Sequence, residues 1–147
     1  MLHHRPGWHF AVACAGVQYS VKDLGTLGGP ASTAYGINNA GQVVGNADAV
    51  DGRRAFLYSG GVITDLGAFG GANSAAYSIN DSGQIVGYAN TGGNIAHAFL
   101  YSSGTKIDLG TMGEESSIAT SINGTGQIVG AAGLYKAFYC FGGTMTD

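Results

Sequence analysis

The apolar residues of this chain fall in short β-prone runs separated by turn residues, and they set out a unit of four strands. Residues 34–37 and 42–46 are two such runs flanking Asn38-Asn39-Ala40-Gly41. An Asn at a turn start can bond the backbone two residues on, and a Gly at its end accepts left-handed φ, so this reads as a hairpin with a four-residue loop. Residues 54–58 and 62–65 form a second hairpin across Ser59-Gly60-Gly61. Between the hairpins lies a link that varies in length (47–53, 89–96 and 131–135), as exposed loops tolerate.

The unit recurs three times. Asp23-Leu24-Gly25, Asp65-Leu66-Gly67 and Asp108-Leu109-Gly110 open its Gly-rich links, and their Asp residues are 65 − 23 = 42 and 108 − 65 = 43 apart. The block Ile37-Asn38-Asn39-Ala40-Gly41-Gln42 returns as Ile79 to Gln84 and Ile122 to Gln127 on the same beat. Ala55-Phe56, Ala98-Phe99 and Ala137-Phe138 follow, then a Gly turn. Four short strands per roughly 42 residues matches a β-propeller blade, which runs about 40–45 residues. Gly45, Gly87 and Gly130 are then expected to let neighbouring blades pack closely, and Phe56, Phe99 and Phe138 to fill the space between them.

The expected architecture is therefore all-β, with three four-stranded antiparallel repeats forming blades of a partial β-propeller. The repeats cover about 26–67, 68–110 and 111–147 within a domain of 18–147, preceded by one extra strand at 17–24. Propellers need about four to eight blades, so three make an open arc. Two closures fit: a homodimer completing a six-bladed ring, or further repeats of a longer parent chain. The alternative is a β-trefoil, which closes three such units as one chain.

The combined blocks Asp-Leu-Gly-x-x-Gly-Gly, Ile-Asn-x-x-Gly-Gln-[Ile/Val]-Val-Gly and His97-Ala98-Phe99-Leu100-Tyr101 resemble the HAF family of probable extracellular repeat proteins, over about residues 19–147. The name-giving His-Ala-Phe triplet stands only in the second repeat, since Arg54 and Lys136 take the His place in the others. The resemblance implies propeller-like repeats in a secreted or surface protein with more repeats than three. It lends no activity, because the family's biochemical role is undefined.

Composition supports strands over helices. Gly numbers 27 of 147 residues, while charged residues are only 10% against about 25% in ordinary domains. A net charge of −3 with six scattered Lys and Arg offers no basic stripe for nucleic acid. No apolar run reaches the roughly 18 residues of a transmembrane span. Met1 to Val17 stands outside the repeat. Its His3-His4-Arg5 start, the apolar stretch Trp8 to Ala13 and the small residues that follow resemble the end of a secretory signal, and Ala11 to Cys14 loosely resembles a lipoprotein box. The plainer readings are a poorly ordered leader or a start codon placed inside a longer gene. Pairing of Cys14 with Cys140 is left open, and neither has zinc-site spacing.

Chemistry-bearing residues read mostly as scaffold. Asp23, Asp65, Asp108 and Asp147 recur in phase, as turn caps would; a cation ring is the sharper alternative. The Gly-rich links lack the Lys-Ser or Lys-Thr ending and the following helix of a phosphate cradle. Asn80-Asp81-Ser82-Gly83 has no downstream Glu to complete a calcium loop. Glu114 and Glu115 have no carboxylate placed opposite them by the sequence, and no Ser-His-Asp or Cys-His arrangement is identifiable. Arg54, His97 and Lys136 are different in each repeat at one fixed position, the candidate binding face, against which stands a solvated strand end. The expected role is a non-enzymatic extracellular module, structural or ligand-binding toward a protein or carbohydrate, without cofactor or metal. The alternative is a fragment of a carbohydrate-active propeller enzyme whose catalytic loops lie elsewhere.

Overall fold

The computed structural model describes residues 12–14 and 16–146. Met1 to Ala11, Ala15 and Asp147 lie outside the described residues, and with them most of the signal-like stretch and the Ala11 that begins the lipoprotein-box reading, whose Val12 to Cys14 are described. All described elements are strands. The first pair, β1 (Val12–Cys14) and β2 (Val17–Tyr19), forms a small antiparallel sheet of its own. The extra strand expected over 17–24 is thus only three residues long. Val17, Tyr19 and Val21 are all more than half exposed, so no four-stranded sheet receives them.

Three four-stranded sheets follow, each an antiparallel meander. The first contains β3 (Ser32–Ile37), β4 (Val43–Ala49), β5 (Gly52–Ser59) and β6 (Val62–Asp65). The second contains β7 (Gly70–Ile79), β8 (Ile85–Thr91), β9 (Ala96–Ser102) and β10 (Thr105–Gly110). The third contains β11 (Ser117–Ile122), β12 (Ile128–Ala132), β13 (Lys136–Phe141) and β14 (Thr144–Thr146). A trefoil needs strands of different repeats to pair into a closed barrel. Here every ladder between these strands lies within one repeat and no sheet closes, so that alternative falls.

The sheets stack through small residues and repeated aliphatics. Between the first and second sheets Val44 and Ala55 meet Ala76, Ile79, Ile85, Ala89 and Phe99. Between the second and third, Val86 and Ala98 meet Ala119, Ile122, Ile128, Ala132 and Phe138. The two clusters correspond position for position at the 42–43-residue spacing, except that the shorter third link sets Phe138 at 138 − 99 = 39 residues after Phe99. Alternation along β8 sends Ile85 to one neighbour and Val86 to the other, so the middle sheet is buried on both faces, and both residues are fully buried. Removing each such side chain from water contributes roughly 1.5–3 kcal/mol. A leucine from each Asp-Leu-Gly block, Leu24, Leu66 or Leu109, packs against the cluster beside its sheet.

One irregularity is shared by all three sheets. The register slips between Ala34 and Gly36, between Ala76 and Ser78, and between Ala119 and Ser121. These bulges crowd the facing strand, where the glycines stand. A Cβ on Gly45 would lie 1.9 Å from the Thr33 carbonyl oxygen, on Gly87 1.9 Å from that of Ala75, and on Gly130 2.1 Å from that of Ile118. The sequence pattern assigns these glycines to packing between sheets. Their closest constraint instead lies inside their own sheet: the bulge carbonyl takes the space, and at Gly45 and Gly130 so does the ring of the cross-strand Phe56 or Phe138.

Candidate functional site

The hairpin turn that defines the repeat is a hydrogen-bonded device reaching beyond its own sheet. In the first turn the Asn38 and Gln42 side chains close on each other: the Gln42 N–H donates to Asn38 Oδ1 at 3.0 Å, and Asn38 Nδ2 donates to Gln42 Oε1 at 2.8 Å. Asn80 with Gln84 and Asn123 with Gln127 repeat both bonds. Gln42 therefore closes the turn, one residue more than the four expected from sequence. The same asparagine amide also crosses to the next sheet: Asn38 Nδ2 donates to the Asn80 carbonyl at 3.0 Å, and Asn80 Nδ2 to the Asn123 carbonyl at 3.0 Å. An amide has two N–H donors, and these asparagines use one inside the turn and one between sheets.

A second set of cross-sheet bonds runs through serines that the sequence reading passed over. Ser74 accepts from the Ala55 N–H at 2.9 Å and donates to the Gly67 carbonyl at 2.7 Å. Ser117 repeats this with the Ala98 N–H and the Gly110 carbonyl. Ser32, Ser74 and Ser117 keep the same beat, 74 − 32 = 42 and 117 − 74 = 43, and that spacing was the available signal.

The phased aspartates cap turns. Asp23, Asp65 and Asp108 accept the backbone N–H of Gly25, Gly67 and Gly110 at 2.9, 2.6 and 2.7 Å. Each of those glycines has positive φ, so the Asp-x-Gly spacing follows from an Asx-type turn ending in a left-handed residue. Among the described residues no group of three or more His, Cys, Asp or Glu is placed to hold a metal ion.

Arg54, His97 and Lys136 do occupy one register position, opposite Ala47, Ala89 and Ala132. Each lies in a different sheet and is engaged by a different acid. Arg54 pairs with Asp51 at 2.7 Å and donates to the Gly71 carbonyl at 2.9 Å, which ties it to the start of β7 in the second sheet. His97 Nδ1 meets Asp108 at 2.9 Å, and Lys136 pairs with Glu114. Arg54 also lines an open cleft of about 480 Å³ with Asp51, Asp65 and small residues between Gly67 and Ala72, at the start of β7. Lys106 crosses that junction: its Nζ donates to the Leu66 and Ala68 carbonyls at 3.0 Å each, above the Phe69 ring. Burial pushes the Lys106 pKa down; Asp65 opposes this and Arg54 adds to it.

Cys140 is a free, buried thiol and does not pair with Cys14. Burial pushes its pKa up, against a smaller opposing effect of the Gly143 N–H, which describes an inert core cysteine.

The first interface carries a pair of hydrogen bonds that the second lacks. Asp81 accepts from the Asn39 N–H at 2.9 Å and from Asn39 Nδ2 at 2.6 Å, whereas the equivalent of Asp81 in the third repeat is Gly124. Those bonds, the backbone one first, hold the Asp81 carboxyl below its ordinary 3.8. A depressed acid stabilises the fold fully above its unfolded value, and the contribution fades as pH falls toward the folded value. Asp81→Asn should therefore lower the melting temperature modestly at neutral pH. The deficit should shrink below about pH 4. A deficit independent of pH in melting curves at about pH 3.5 and 7 would refute this assignment.

Comparison with protein families, curated proteins and solved structures finds no match to this chain. No helix among the described residues is long and apolar enough to cross a membrane.

Proposed function

We propose that this chain is a non-enzymatic, extracellular or cell-surface repeat module whose three sheets are blades of a propeller arc, offering a structural or ligand-binding surface to a protein or carbohydrate. One observation carries the reading: the groups that most resemble catalytic ones are spent on the scaffold. The phased aspartates cap turns, His97 is held by Asp108, and the turn asparagines bond sheet to sheet. The resemblance to the HAF family supports the extracellular setting. The binding edge is the register position of Arg54, His97 and Lys136, where the frame stays fixed and the side chain and its acid change from sheet to sheet.

The test is a panel of immobilised polysaccharides and extracellular matrix proteins, run beside a panel of aryl glycosides. Saturable binding to one immobilised partner is expected, weakened at least about tenfold in a variant carrying Arg54→Ala, His97→Ala and Lys136→Ala, together with no turnover; tenfold corresponds to about 1.4 kcal/mol. Sustained glycoside hydrolysis would establish the carbohydrate-active alternative instead, and binding indifferent to the triple substitution would place the surface elsewhere.

A further inference from the structure

The stacking of the sheets leaves two halves of one interface uncovered at opposite ends of the arc. Ile79 and Ile122 face the preceding sheet and are 7% exposed, whereas Ile37, their equivalent on the first sheet, is 69% exposed. Ala76 and Ala119 are fully buried, and their equivalent Ala34 is exposed. The third sheet shows the converse. Val44 and Val86 face the following sheet and are fully buried, while their equivalent Val129 is 46% exposed. Ala55 and Ala98 are buried in the same way, and Ala137 is exposed. Among the described residues, then, the first sheet keeps the receiving half of the interface and the third sheet keeps the inserting half.

The polar groups match as well. In both internal interfaces the earlier turn asparagine donates to the later one's carbonyl. Asn123 has the same turn geometry, including its Nδ2 bond to Gln127 Oε1, so its second amide hydrogen is aimed as those of Asn38 and Asn80 are. Ser32 already donates to the Gly25 carbonyl at 2.7 Å, as Ser74 does to Gly67, and is set to accept the N–H that Ala137 contributes at the Ala55 and Ala98 position. An apolar groove of about 360 Å³ on the first sheet, lined in part by Ala34, Ile37 and Val43, occupies the place that Val44 and Ala55 fill on the second sheet.

From this complementarity we infer that the occupant is a second copy of this chain. The third sheet of one copy docks on the first sheet of the other, Val129 and Ala137 entering the Ala34–Ile37 groove and Asn123 donating to the Asn38 carbonyl. The contact is head-to-tail, so each copy uses both faces, and two copies close a ring of six sheets, within the roughly four to eight that propellers use. The inference rests on the proposed blade arrangement.

Light scattering on the full chain should give a single species at twice 14.8 kDa. Val129→Glu and Ile37→Lys, both at exposed positions, should each give a monomer with unchanged far-ultraviolet circular dichroism. Mixed together they should recover a dimer with one chain of each kind. One of its interfaces is then native, and the other sets the introduced glutamate of one chain against the introduced lysine of its partner. A monomeric unaltered chain overturns the inference. So do open-ended polymers, or a dimer that survives Val129→Glu. Glycoside turnover by an intact dimer would overturn the functional proposal alone, and a monomer that still binds its immobilised partner would overturn the docking alone.

Discussion

Gly87→Ala should destabilise the fold by about 3 kcal/mol or more, at the upper end of overpacking effects, while Gly92→Ala should change it by less than about 0.5 kcal/mol. The same methyl group is added at both places. At Gly87 it would sit 1.9 Å from the Ala75 carbonyl oxygen and 2.9 Å from the Ala76 Cα, so backbone must move; at Gly92 nothing lies within 4 Å. Relief by sliding is blocked because the middle sheet is packed on both faces, with Val86 and Ala89 fully buried on either side of Gly87. The alternative relief, straightening the bulge between Ala76 and Ser78, would shift Ile79 out of register and turn it from its cluster. Urea unfolding of both variants, followed by circular dichroism at unchanged m-value, measures the difference. Equal stabilities would mean that the bulge carbonyl does not occupy the space over Gly87.

The glycine shows where the sequence spoke clearly and where it did not. Strand order and turn position were legible because turn chemistry is local: Asn38 and Gly41 act on neighbours three or four residues away, and the pattern repeats. The reason for Gly87 was not legible, since a bulge on the facing strand leaves no mark on the residue it crowds. Ser74 and Ser117 carried a periodic signal that is easily missed, because serine in a Gly-rich stretch looks like turn filler. The partners of Arg54 and Lys136 had no periodic signal at all. Asp51 sits in the link whose length differs between repeats, and Glu114 stands where the other repeats have Gly29 and Gly71, so the ion pairs follow from three-dimensional placement alone. The separate pairing of Val17–Tyr19 with Val12–Cys14 was hidden for a similar reason, as a strand's propensity does not name the sheet it joins.

Asn80 provides the second large effect, and it tests the cross-sheet ladder directly. Its side chain, on a residue only 6% exposed, accepts the Gln84 N–H and donates to both Gln84 Oε1 and the Asn123 carbonyl. Asn80→Ala removes all three bonds and leaves buried polar groups unpaired, at a cost of about 3 kcal/mol. Asn80→Asp keeps the acceptor for Gln84 but turns the donor into an oxygen facing two other oxygens, with a charge that must be desolvated. At neutral pH the Asp variant should therefore be less stable than the Ala variant. Its carboxyl must titrate above the ordinary range in the folded state, because protonation restores one O–H donor. An acid with a raised folded pKa carries no penalty below its unfolded value, and the penalty grows as pH rises toward the folded one. The Asp variant should thus recover on acidification and equal or exceed the Ala variant near about pH 4. Asp81, the neighbouring titrating group, is common to both variants, so its contribution cancels in the comparison. Equal urea midpoints for the two variants at both pH values would mean that Asn80 Nδ2 is not a cross-sheet donor. The matching role assigned to Asn123 at the open face would then fall with it.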